Sequence, residues 1–197
     1  MEEKERAPLL KGADIYLRLM DENDTDRIIK WRNTDFVRRN FIYQKPFTRQ
    51  GHAAWVREMI HTGKAVQFII CKKDTGKPVG SVYLRDIDKN CRKAEYGVFI
   101  GEKEALGKGF GTQAAKLMLQ YGFEELNLHK IMLRVLAENL PARKSYEKAG
   151  FVEEAYLKDE VFLEERYRDV IYMAVIRDEK NRRELSAAGG GKQAWQN

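Results

Sequence analysis

The chain has 197 residues, of which 43% are hydrophobic and 34% charged, and it carries a formal net charge of +6. That length supports one medium domain with a substantial core, the composition excludes disordered and fibrous classes, and no apolar run is long enough to span a bilayer. The positive charge is dispersed among nearly as many acids, which favours a phosphate-bearing small molecule over nucleic acid or a membrane surface as partner.

The N-terminal "MEEKERAPLL" lacks the apolar stretch of a signal peptide, so a cytoplasmic location is expected. "IYLRLM" at 15–20 alternates as a half-buried strand does, and "DENDTDRIIKWRN" follows with acids suited to a helix N-terminus, predicting a helix through about Trp31 or Arg32. A second helix is predicted over "RQGHAAWVREMIHTG", with Ala53, Val56 and Ile60 near helical spacing and Gly63 as its stop.

"AVQFIIC" and "PVGSVYLRDI" read as a hairpin joined by "KKDTGK". "KAEYGVFIG" at 93–101 is a third strand, with Glu95, Gly97 and Phe99 on one face and Tyr96, Val98 and Ile100 on the other. Gly97 in mid-strand suggests a bulge or the close approach of another backbone.

Next comes "LGKGFGT", which runs into a helix with Ala114, Leu117, Met118 and Tyr121 on one face, and "HKIMLRVL" supplies another strand. Strand, loop, helix and strand in that order form a βαβ-like unit. "ENLPARKSYEKAGF" is a short helix with Asn139 as N-cap, Pro141 in its first turn and Gly150 as stop. Two closing strands, about 151–163 and 167–176, form a second hairpin, and the last dozen residues, with a glycine run and no periodicity, read as a loose tail. The expected organisation is a single domain over 1–180 and a flexible tail over 181–197. Two cysteines, Cys71 and Cys91, and three histidines supply no metal constellation; both thiols are read as reduced.

A strand that ends in a glycine-rich turn and continues as a helix presents consecutive N–H groups at the positive end of a helix dipole, where phosphate binds. The spacing Gly107-x-Gly109-x-Gly111 matches neither the Rossmann fingerprint nor the P-loop. With "AEYGVFIG" before it and "AENLPARKSYEKAGF" after it, the stretch resembles the GNAT family of acetyl-coenzyme A dependent N-acetyltransferases, over roughly residues 15–176.

That resemblance implies an α/β (α+β) GNAT fold, a mixed central sheet splayed at the acetyl-coenzyme A site with flanking helices. It implies acetyl-coenzyme A as co-substrate, with the backbone of Gly107, Lys108, Gly109, Phe110, Gly111 and Thr112 around its pyrophosphate and that of Val98, Phe99 and Ile100 beside its pantetheine arm. Leu106 stands where the family usually has Gln or Arg. Tyr146 matches the tyrosine assigned as the acid for the coenzyme sulfur, Glu95 the position of a general base in many relatives, and Asn139 an asparagine that contacts the coenzyme. Each has a plainer reading: core aromatic, exposed strand carboxylate and N-cap, respectively.

For the acceptor, "KWRNTDFVRRNF…TRQGHAAWV" resembles the front of enzymes that acetylate nucleotide-linked amino sugars, matching at Trp31, Arg32, Asn33, His52 and Trp55; the tryptophans read better as core, and the plainer reading of Arg32 is a helix-end cation. The C-terminal half is more similar to spermidine acetyltransferases, yet their acidic pair before the loop proline is here Gln44-Lys45-Pro46, beside basic Arg38, Arg39 and Arg49. "Tyr-Arg-Asp" at 167–169 is similar to enzymes acting on ribosomal-protein N-termini. A small-molecule primary amine, with a nucleotide-linked amino sugar as leading candidate, is the expected acceptor. Protein N-termini, polyamines and a non-catalytic acetyl-coenzyme A binding module are the alternatives, and a homodimer is compatible with all of them.

Overall fold

A computed structural model describes residues 10–177, so the C-terminal tail at 181–197 lies outside the described residues. Eight strands make one sheet: β1 (Leu10–Lys11), β2 (Ile15–Leu19), β3 (Val66–Lys72), β4 (Pro78–Asp88), β5 (Lys93–Ile100), β6 (Lys130–Leu136), β7 (Val152–Leu163) and β8 (Arg166–Ile176). Their order is β1-β2-β3-β4-β5-β6-β8-β7, antiparallel throughout except for β5 and β6. The helices are α1 (Thr25–Arg32), α2 (Asp35–Arg38), α3 (Arg49–Trp55), α4 (Phe110–Glu124) and α5 (Leu140–Ala149).

Period-two alternation divides β3 between two cores. Phe68 and Ile70 face α4 together with Ile15, Leu17, Val82, Leu84 and Met118, while Ile69 and Cys71 pack with Ile28, Trp31 and Val37 of α1 and α2. Helices therefore cover both faces. On β5, Ala94 and Tyr96 belong to the first core and Phe99 to the second, the alternation its sequence predicts.

The first helix is preceded by a 3₁₀ turn at Glu22–Asp24, closed by a capping box in which Asp21 accepts from Asn23 and Asp24 reaches back to the Asp21 N–H. The second predicted helix changes character: α3 gives way to a π turn at Val56–Ile60 before Gly63 at φ 69°. Short α2 and two-residue β1 carry too little periodicity to be read in sequence.

Strands β5 and β6 run parallel, as the βαβ reading requires, but pair only over Lys93–Glu95 against Lys130–Met132. Beyond Glu95, β5 stays on β4 through Ile100 and β6 stays on β8 through Leu136, so the two diverge and leave a wedge. Gly97 lies just past that point, and its register is regular, opposite Tyr83. Neither a bulge nor a neighbouring backbone explains this glycine: a Cβ there would come within 2.3 Å of the Tyr83 ring. The glycine makes room for an aromatic side chain crossing the strand.

Candidate active site

The wedge opens into a cleft of about 880 Å³ that collects residues from both halves of the sheet, from α4 and α5, and from the front segment 28–47. One end is built by the glycine loop. Gly107 and Gly109 hold φ of 73° and 76°, a region open to glycine at little cost, and a Cβ at either would meet nothing within 4 Å. Gly109 is the N-cap of α4 and brings no side-chain cap, so the helix presents bare N–H groups beside open space. Those features fit the pyrophosphate of a coenzyme A. Gly107, Gly109, Phe110, Gly111 and Thr112 line the cleft, and Leu106, half exposed, lines it too. Lys108 turns away into a neighbouring groove with Asp14, Lys72 and Lys73.

Val98, Phe99 and Ile100 line the divergent stretch, where β5 has no partner on the β6 side. Their backbone offers the edge that an amide-bearing pantetheine arm could pair with. Across the wedge, Asn139 lines the cleft while its side chain accepts from the Ala142 N–H, so N-cap and cleft wall are one residue. Two turns further along α5 comes Tyr146, whose ring meets Tyr96 at 6.1 Å and Phe151 at 5.9 Å, edge to face. Burial, with a smaller contribution from nearby Tyr83, pushes its phenol above the usual tyrosine range. It is therefore both a packed aromatic and a firmly protonated hydroxyl on the cleft wall.

Glu95 stands where β5 and β6 part. Arg85 Nη2 donates to its Oε1 at 2.8 Å, and Arg134 donates from Nε and Nη2 to its two oxygens at 3.3 Å. Both carboxylate oxygens are thus occupied by guanidinium groups. Tyr83 and Trp55 pack edge to face at 5.8 Å nearby, and Trp55 donates to Gln67 at 2.8 Å.

Of the front residues, Arg32 lines the cleft with its guanidinium stacked on Phe41. Asn33 and His52 do not line it. Asn33 clamps the front loop, donating to the Phe47 carbonyl and accepting its N–H, both at 2.8 Å. His52 is 1% exposed, packs against Phe47 at 5.8 Å, and burial lowers its pKa. Trp31 is core, 2% exposed, over Gly101, with its indole donating to Glu102. Tyr83, Gln67, Arg85 and Arg134 also line the cleft and carry no motif; for the two arginines, charge within otherwise apolar strands is the available signal. Among the described residues no cluster of three His, Cys, Asp or Glu side chains could hold a metal ion, and no helix is long and apolar enough to cross a membrane.

Residues 14–152 match the family model described as an acetyltransferase (GNAT) domain. A spermidine N(1)-acetyltransferase of Vibrio cholerae is 39% identical over 167 residues, covering 84% of this chain and 94% of that protein. A putative ribosomal N-acetyltransferase, YdaF of Bacillus subtilis, is 33% identical over 104 residues, 53% of this chain and 56% of its own. The crystal structure of the Vibrio cholerae spermidine enzyme with CoA and spermine superposes with a TM-score of 0.77 at 31% identity, covering 83% of this chain and 95% of that one. A dodecameric structure of the same enzyme gives 0.73, also at 31% identity, with 86% and 98% covered.

Proposed function

The chain belongs to the GNAT family of acetyl-coenzyme A dependent N-acetyltransferases, and from that premise we propose that its acceptor is the primary amine of a small, non-polycationic molecule, with a nucleotide-linked amino sugar as leading candidate. One observation carries this reading. The cleft, away from the glycine loop, holds three guanidinium groups, Arg32, Arg85 and Arg134, against a single carboxylate, Glu95, which two of them already engage. Each like-charge pair at about 8 Å costs roughly 2 kcal/mol at an effective dielectric of about 20. A polyamine with three ammonium groups would meet several such pairs and no free acid.

Bound acetyl-coenzyme A supplies the activated acetyl group. The N–H groups at the start of α4 would hold its pyrophosphate, and the free edge of Val98–Ile100 would orient its arm. Tyr146, protonated at neutral pH, would hold a proton at Oη for the departing sulfur. Glu95 would fix Arg85 and Arg134 at the point where the strands part. To accept the amine proton directly it would first have to release a guanidinium, which makes it a positioning residue in this reading.

The second reading, a polyamine acceptor, is favoured by 39% identity to a spermidine acetyltransferase and by likeness to its spermine complex. A single assay separates the possibilities. Coenzyme A release is followed with an amino-sugar nucleotide, spermidine and an N-terminal peptide as acceptors. The expected kcat/KM is at least tenfold higher for the amino-sugar nucleotide than for spermidine. A higher value for spermidine overturns the proposal in favour of the polyamine, and coenzyme binding with no amine-dependent thiol release would mark a binding module.

A further inference from the structure

Three guanidinium groups face the acceptor compartment, and only one lacks an anion. Arg85 and Arg134 share Glu95. Arg32, in the last turn of α1, has its Cζ 3.4 Å from the centroid of Phe41, with the rings of Phe47 and Phe99 at 5.4 and 5.9 Å. Its Nη1 is buried without a hydrogen-bond partner, and among the described residues no carboxylate pairs with it. Burial accordingly lowers its pKa from the usual arginine value, with Arg85 adding to the effect and Tyr83 opposing it.

Aromatic faces attract a cation but offer no acceptor lone pairs to its N–H groups. A guanidinium held in such a cage draws the oxygens it lacks from solvent or from a ligand that replaces it. We propose that Arg32 is an anion receptor, which binds a phosphate or carboxylate group carried by the acceptor itself, through guanidinium donors that no described residue engages. The cage of Phe41, Phe47 and Phe99 fixes the plane of the fork, the arrangement suited to bidentate recognition of such groups. This assignment rests on reading the compartment as the acceptor site, and it narrows the acceptor to amines that bear an anionic group at a distance from the reacting nitrogen.

The test uses glucosamine and glucosamine 1-phosphate, which differ only in the anionic group, titrated by calorimetry into enzyme saturated with coenzyme A so that the pyrophosphate cradle is filled. The wild type is expected to bind the phosphorylated probe at least tenfold more tightly. Arg32→Met should bring the ratio close to one and Arg32→Lys should retain part of it, with coenzyme affinity unchanged in both. Ligand-free Arg32→Met should melt no lower than wild type, since it removes an uncompensated buried charge. Absence of measurable wild-type binding of glucosamine 1-phosphate, a ratio untouched by Arg32→Met, or a large drop in Tm would overturn the assignment. Because these readouts need no turnover, loss of the acetyl-acceptor reading would show separately, as no thiol release with either amine.

Discussion

At the scale of single residues, the cleft pairs a protonated phenol with a carboxylate already engaged. Burial raises the Tyr146 pKa, so the hydroxyl keeps its proton through neutral and moderately alkaline pH. Tyr146→Phe should lower kcat by one or more orders of magnitude while the dissociation constant of acetyl-coenzyme A changes little, because the ring packing with Tyr96 and Phe151 survives. Pre-steady-state rates under conditions where chemistry limits turnover check this, and an unchanged rate removes Tyr146 from the mechanism. Asn139 and Gly109 could be picked out in sequence because each is framed by local helix chemistry, a cap or a left-handed turn, whereas Tyr146 was marked only by the family motif around it. The shell around Glu95 could not. Arg134 lies 39 positions away and reaches it only through the parallel pairing of β5 and β6, while Gly97 is explained by a ring on the neighbouring strand.

The decisive element is the turn into α4, where two left-handed glycines clear the approach to the helix N-terminus. Gly109→Val forces a β-branched residue to φ 76°, at a cost of about 1–3 kcal/mol, and fills space that a pyrophosphate would need. A lower Tm and a clearly weakened acetyl-coenzyme A affinity are expected. Gly63→Val, at φ 69° with open surroundings and away from the cleft, imposes similar backbone strain and controls for it. If both variants bind the coenzyme as wild type does, the cradle assignment fails. Strands β2 to β6 and β8 and helices α1 and α4 were legible because local pattern and tertiary burial agree, and α5, which has no fully buried residue, was legible from its caps at Asn139 and Gly150. The π turn at Val56–Ile60 was not, since its residues keep near-helical spacing and only the backbone bonding differs.

For the whole molecule, the sheet and its two cores explain why the front segment is held so firmly. Asn33 clamps Phe47, and Phe47 in turn covers His52, which is buried in its neutral form. The folded-state pKa of His52 is depressed by burial, so its neutral form contributes fully to stability above the unfolded value of about 6.5. That contribution is lost as pH falls from there through the lower folded value, because the unfolded chain takes up the proton first. Urea titrations at pH 7.5, 6.5 and 5.5 should show wild-type stability declining over this window and His52→Gln losing that dependence. Parallel slopes for the two proteins would exclude His52 as the titrating group. The divergence of β5 from β6 has a mechanical meaning as well. Within the sheet only three residue pairs join the five-stranded N-terminal meander to the three-stranded C-terminal ribbon, and the core beneath α4, which runs from Leu84 to Ile131 and Met173, carries the rest of the connection. A coenzyme lodged in the wedge would then stand as a strut between strand edges that no ladder joins, on the side of the sheet opening beyond Glu95.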